Sequence, residues 1–105
     1  MLEEEINQVA KRAIDVFGFE AQRMMFFEEV SELQNAVAKK SRGRDTADHI
    51  AEEIADVQIM LVQLAQMYQI GPEVVSYTEK KIKMLSERLD SIEEIGEEDA
   101  DELQT

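Results

Sequence analysis

The sequence predicts an all-α protein built as a bundle of four helices, and three observations lead to that fold class. The 105 residues include only one Pro and four Gly, whereas the strong helix formers Ala, Leu, Glu, Gln, Met and Lys are abundant. Four segments carry apolar residues at the helical period. Gly18, Gly43 and the pair Gly71-Pro72 lie between these segments, where one helix ends and the next begins.

The length of the chain predicts one domain, which we assign to residues 1–95. A domain of this size is small enough that self-association would help it to bury apolar surface. Residues 93–105 contain seven acids and no base, so we expect residues 96–105 to form an acidic, disordered tail.

Composition and charge exclude several classes of function. The absence of Cys excludes disulfides and thiolate metal sites. A net charge of −13 argues against a nucleic-acid polymer as partner, because phosphate backbones attract Lys and Arg. No apolar run approaches the length of a membrane span, and the start MLEEE does not resemble a secretory signal. We therefore expect a cytoplasmic protein with no membrane partner.

The first helix is predicted from about Leu2 to Phe17, with one apolar stripe, and it ends at Gly18. The second is predicted from about Glu20 to Lys40 and opens with the apolar run Met24 to Phe27. That run is wider than one helix face requires. Either part of it meets another subunit, or this is an inner helix of the monomer.

An acidic motif occurs twice, as EEVSELQ over Glu28–Gln34 and as EEIADVQ over Glu52–Gln58, with an offset of 24 residues. A helix turns by about 100° per residue, so the position of each acid can be compared with the apolar arc of its helix. In the first copy Glu29 lies inside the arc, Glu32 at its edge and Glu28 outside it. The first copy therefore directs a carboxylate pair toward the interior.

The second copy repeats this arrangement, with Glu53 inside the apolar arc, Asp56 at its edge and Glu52 outside. A single acidic pair at this spacing is usually solvated helix surface. Two pairs on apolar arcs would instead bring four carboxylates together, and these repel one another unless a cation joins them. Because all the donors are oxygen, the pattern predicts a hard divalent ion between the second and third helices, Mg²⁺ first and Mn²⁺ second.

The two motifs, EEVSE followed by EEIAD, resemble the signature of the MazG-like all-α nucleoside triphosphate pyrophosphohydrolases, most closely their short single-domain members from phage and prophage genomes. In that family a Glu-Glu-x-x-Glu segment on one helix faces a Glu-x-x-Asp segment on the next. The resemblance covers residues 13–88 and is most specific over residues 27–64. It implies Mg²⁺-dependent cleavage of an NTP or dNTP to the monophosphate and pyrophosphate.

The resemblance also implies roles for individual acids. Four of them would hold the metal: Glu29, Glu32, Glu53 and Asp56. Glu28, just outside the ligand face, would orient or deprotonate the attacking water, although Glu52 is equally placed by geometry.

A basic loop follows the second helix in this acidic chain. Four of the eleven basic residues lie in the six positions from Lys39 to Arg44. Lys39 and Lys40 are explained by the negative end of the helix dipole. Arg42 and Arg44 remain candidates for steering or contacting a triphosphate.

The third helix is predicted to start near Asp45 or Thr46, either of which can cap it, and to run to about Gln69. His49 precedes Glu53 by one turn. The chain lacks the paired Glu-x-x-His motifs of a di-iron bundle, so we interpret His49 as structural or as support for a ligand, and not as a ligand itself.

The fourth helix is predicted from about Glu73 to Ile95, and two of its cations, Lys81 and Arg88, lie on its apolar side. A bound triphosphate would give them a partner, while extension of both side chains to the surface is the competing explanation. The MazG-like family often carries a Lys on this helix, followed by polar residues. Lys81 matches best, with Leu85 and Ser86 where those polar residues commonly follow.

Two further interpretations remain open beside the enzyme. One is a protein that keeps the acidic site to sense nucleotide or metal without turnover, and the other is a structural helical oligomer. In each case we expect a homodimer or a dimer of dimers, because the run Met24 to Phe27 and the stripe of the fourth helix exceed what one small bundle buries.

Overall fold

The computed structural model describes the backbone of residues 1–104 and the side chains of residues 1–97. The described backbone forms four helices and no strand, which confirms the predicted all-α class. The helices are α1 (Leu2–Phe17), α2 (Phe19–Ser41), α3 (Ala47–Met67) and α4 (Gly71–Gln104). Within the described range no helix has the length and apolar character needed to cross a bilayer.

The helix ends follow the local chemistry that the sequence contains. Gly18 joins α1 to α2 with a φ of 93°, in a region that side chains with a Cβ rarely adopt. The turn after α2 contains Gly43 with a φ of 72°. Thr46 caps α3, because its Oγ1 accepts a hydrogen bond of 3.1 Å from the backbone N–H of His49. The predicted bounds of the first three helices are therefore within two residues of the observed ones.

One compact unit, Met1–Ile70, contains the first three helices. Within it α3 packs against both α2 and α1, and its contact with α2 is the most extensive. Its buried residues are half apolar and half polar: Ala10, Ala36 and Met60, with Gln22, Glu53 and Gln63. The Nε2 of Gln22 donates a hydrogen bond of 2.7 Å to the Oε1 of Gln63, which ties α2 to α3 inside the core.

The second compact unit begins at Gly71 and consists of α4. This helix continues past the predicted end at Ile95, as far as Gln104. Every side chain from Pro72 to Glu97 is exposed. The side chains of residues 98–105 lie outside the described part, so the disordered tail over 96–105 and the single-domain boundary at residue 95 stay predictions.

Candidate functional site

Helices α2 and α3 bring three acidic side chains into one group. Glu29, Glu53 and Asp56 each contribute a carboxylate oxygen, and these oxygens lie within 4.8 Å of one another. Glu53 is buried, with 6% of its surface exposed, while Glu29 and Asp56 are half-buried. The predicted meeting of the two acidic motifs between the second and third helices is confirmed for these three residues. We call them the carboxylate cluster.

Two oxygens of the carboxylate cluster have no hydrogen-bond partner in the described part of the chain. They are the Oε2 atoms of Glu29 and Glu53, and both are buried. A buried acceptor without a donor is costly, and it is more costly still when it carries charge. An all-oxygen donor set with free, converging oxygens fits a hard divalent cation such as Mg²⁺ or Mn²⁺.

The electrostatics of the carboxylate cluster lead to the same conclusion. Burial raises the pKa of Glu29, and the negative charges of Glu32, Asp56 and Glu53 raise it further. A hydrogen bond that Glu29 can make to Asp56 only while protonated acts in the same direction. The cluster therefore favours the uptake of positive charge, which a proton or a metal ion can supply.

His49 contacts one member of the carboxylate cluster. Its Nε2 lies 3.1 Å from the Oε1 of Glu53, and its Nδ1 lies 2.8 and 2.9 Å from the two carboxylate oxygens of Asp45. The hydrogen bond to Asp45 raises the pKa of His49. The Asp45 carboxylate also accepts a hydrogen bond of 2.7 Å from the backbone N–H of Thr46, which lowers the pKa of Asp45.

Asp45 was predicted only as a possible cap of the third helix, and its contact with His49 was missed. The signal was available, because Asp45, His49 and Glu53 are four residues apart in turn, a spacing that aligns side chains on one helix face.

The remaining predicted acids lie outside the carboxylate cluster. Glu32 is exposed and does not belong to the group of three, although its charge contributes to the raised pKa of Glu29. Glu28 on α2 and Glu52 on α3 are both exposed, as expected for the outer position of each motif. The structure thus separates three inner acids from three acids at or near the surface.

The four predicted phosphate-binding cations lie on two segments, and all are exposed. Arg42 is the C-terminal cap of α2, and its backbone N–H donates to the Lys39 carbonyl at 3.0 Å, while the N–H of Gly43 donates to the Lys40 carbonyl at 2.9 Å. Arg44 belongs to the same turn, where its N–H donates to the Lys39 carbonyl at 2.8 Å. Lys81 and Arg88 lie on α4, in the second unit.

Comparison with known proteins identifies the family. No curated protein and no solved structure matches the chain. The family model described as MazG nucleotide pyrophosphohydrolase domain matches residues 17–89, which include both acidic motifs, all of α2 and α3, and α4 as far as Leu89. Since this match covers more than half of the chain and contains the whole carboxylate cluster, the chain belongs to the MazG nucleotide pyrophosphohydrolase family.

Proposed function

We propose that the chain is a Mg²⁺-dependent nucleoside triphosphate pyrophosphohydrolase that converts an NTP or a dNTP to the monophosphate and pyrophosphate. Membership of the MazG family supports a hydrolase that acts on nucleotides. The observation that carries the proposal is the carboxylate cluster, in which two buried oxygens have no partner in the described chain.

The acids of the carboxylate cluster would hold the cation. They are Glu29, Glu53 and Asp56, with Glu32 as the fourth ligand proposed from the sequence. A bound Mg²⁺ would act as a Lewis acid and would offset the negative charge that develops in the transition state. Mn²⁺ would suit the same oxygen donors.

The outer acids serve the attacking water. Glu28 orients the water and accepts its proton as the oxygen adds to phosphorus. The anhydride bond between the α- and β-phosphates breaks, and pyrophosphate leaves with the bridging oxygen. Glu52 occupies the equivalent exposed position on α3 and is the alternative base.

Exposed cations bind the triphosphate. Lys81 and Arg88 contact phosphate oxygens, while Arg42 and Arg44 capture the substrate from solution. The net charge of −13 supports a dedicated role for these groups, because the chain as a whole repels a triphosphate.

The partner of the apolar surface is a second copy of the chain, in a homodimer or a dimer of dimers. On α2, Met24 and Phe27 are 54% and 57% exposed. On α4 the predicted stripe is equally open, with Ile82 62% and Leu85 50% exposed. Apolar surface of this extent is uncommon on a monomer and supports self-association.

The test of the proposed function is release of pyrophosphate. Canonical and oxidised NTPs and dNTPs would each be incubated with the chain, either with Mg²⁺ or with a chelator, and both products would be quantified. Turnover should require Mg²⁺ and should be lost in Glu53→Gln but kept in Asp48→Asn, an exposed acid on the same helix.

Each negative result identifies a different alternative. Nucleotide binding without pyrophosphate release would indicate a sensor. If the chain bound no nucleotide and its stability did not depend on Mg²⁺, the structural oligomer would be correct.

A further inference from the structure

A row of three polar side chains runs from the start of α3 to the carboxylate cluster. Asp45, just before the cap residue Thr46, contacts the Nδ1 of His49 at 2.8 Å, and the Nε2 of His49 contacts the Oε1 of Glu53 at 3.1 Å. The row ends on a buried acid whose other oxygen, Oε2, is buried and has no partner in the described chain. His49 therefore occupies one oxygen of Glu53 and leaves the other free.

We propose that His49 is a positioning residue for the metal centre: it fixes the Glu53 carboxylate so that its free oxygen is presented to the cation, and Asp45 holds His49 in place. The inference rests on the metal site of the proposed function. His49 does not contact the cation in this arrangement and acts through Glu53 alone.

The physical reason lies in the freedom of a glutamate side chain. The terminal torsion of Glu is broad, so an unsupported carboxylate samples many orientations and loses entropy when a metal binds. A hydrogen bond to one oxygen reduces that cost before the metal arrives. The imidazole contacts a carboxylate oxygen at each ring nitrogen, Asp45 at 2.8 Å through Nδ1 and Glu53 at 3.1 Å through Nε2.

Asp45, which contacts His49, is itself held in place by the turn before α3. Its side chain is only 11% exposed, and it also accepts the backbone N–H of Thr46 at 2.7 Å. The contact between Asp45 and His49 thus connects the metal centre to the turn that follows α2. A substitution at Asp45 should reach the cluster only through His49.

The competing explanation is an ordinary pair on a helix surface. The His49 side chain is 46% exposed, and pairs between exposed side chains contribute little to stability. The two explanations predict different metal affinities, because a surface pair has no effect on the cluster. Two substitutions of His49 distinguish these explanations, because each replaces one ring nitrogen. The side-chain amide of Gln lies near the position of Nε2, and that of Asn lies near the position of Nδ1.

The experiment measures Mn²⁺ affinity of the full chain from the electron paramagnetic resonance signal of free Mn²⁺, without nucleotide. His49→Ala and His49→Asn should weaken binding by about tenfold, the lower end of the usual effect of a residue that supports a metal ligand. His49→Gln keeps the donor to Glu53 and should stay within about threefold of wild type. Asp45→Asn should weaken binding in the wild type and have no effect in the His49→Ala background.

Several results would overturn the inference. Equal affinity in all variants would make His49 a surface residue, and tighter binding in His49→Ala would mean that its charge opposes the cation more than its position helps. A wild type that binds no Mn²⁺ would remove the metal site itself, and the inference with it, whereas binding that is indifferent to His49 would remove only the inference. If circular dichroism showed His49→Ala to be unfolded, the contrast between His49→Gln and His49→Asn would decide.

Discussion

Helices α3 and α4 have similar amphipathic sequences but contrasting surroundings. On α3 the residues Glu53, Met60 and Gln63 are buried. On α4 every side chain from Pro72 to Glu97 is exposed, including the apolar residues of its stripe. A helical period predicts that a stripe exists, but it does not tell what covers that stripe.

Because of this difference in burial, charged residues on the two helices differ in their energetic cost to the fold. Burial makes the charge of Glu53 costly, so a cation at the carboxylate cluster relieves a problem that the fold itself creates. Lys81 and Arg88 are exposed and need no partner for stability. Substitutions on α3 should therefore alter the isolated chain, whereas those on α4 should act only through substrate or a second copy.

The largest expected effect concerns the acids of the cluster. Neutralising any one of the four proposed ligands should lower Mg²⁺-dependent kcat/KM by about 1,000-fold, because a metal contributes several kcal/mol to transition-state stabilisation. The variants are Glu29→Gln, Glu32→Gln, Glu53→Gln and Asp56→Asn. Far-UV circular dichroism should show unchanged helical content. Full activity in any two of the four variants would rule out the site as proposed.

The next effect tests α4 directly. Lys81→Ala should cost about 2–4 kcal/mol of transition-state stabilisation, the usual effect of removing one electrostatic donor to the transition state. The control is Lys80→Ala, which removes the same charge about 100° away around the helix and should cost almost nothing. Equal losses from both variants, measured as kcat/KM, would show that general electrostatics and not a placed contact accounts for the effect.

A smaller effect is expected from the apolar stripe of α4. Leu85→Glu should weaken self-association by about 1.5–3 kcal/mol, the value of burying one large apolar side chain. Ser86→Glu adds the same charge at the adjacent exposed position and should leave association unchanged. Sedimentation would measure both, and a fully active wild-type monomer at micromolar concentration would contradict the proposed oligomer.

The sequence predicted the first three helices and three members of the carboxylate cluster, because period, capping residues and the repeated motif are local signals. The end of α4 was misplaced by nine residues, at Ile95 instead of Gln104. The acid-rich end of the chain was interpreted as a tail, but the one Gly within it costs a helix only about 1 kcal/mol, and the Ala, Glu, Leu and Gln around that Gly favour a helix.

Burial and partners were harder to predict because they depend on distant residues. The Gln22–Gln63 hydrogen bond joins residues 41 positions apart, and neither residue has a local signal for burial. Glu32 was assigned to the edge of an apolar arc, and a helical wheel does not decide whether an edge position is covered. The structure leaves it exposed, while Asp56, at the equivalent position of the second motif, is half-buried.

The smallest expected effect is on the stability of the metal-free chain. With a chelator present, Glu29→Gln should raise the free energy of unfolding by about 0.5–1 kcal/mol, because it removes a carboxylate that suffers both burial and repulsion from its neighbours. Glu87→Gln removes an exposed acid on α4 and should not change the free energy of unfolding.

At saturating Mg²⁺ the wild type should instead be more stable to unfolding than Glu29→Gln, since only the intact cluster gains the full binding energy of the ion. Urea unfolding with and without Mg²⁺ would measure both differences. A metal-free Glu29→Gln chain less stable than wild type would mean that the carboxylate is satisfied by the protein, and that its burial is no argument for a cation.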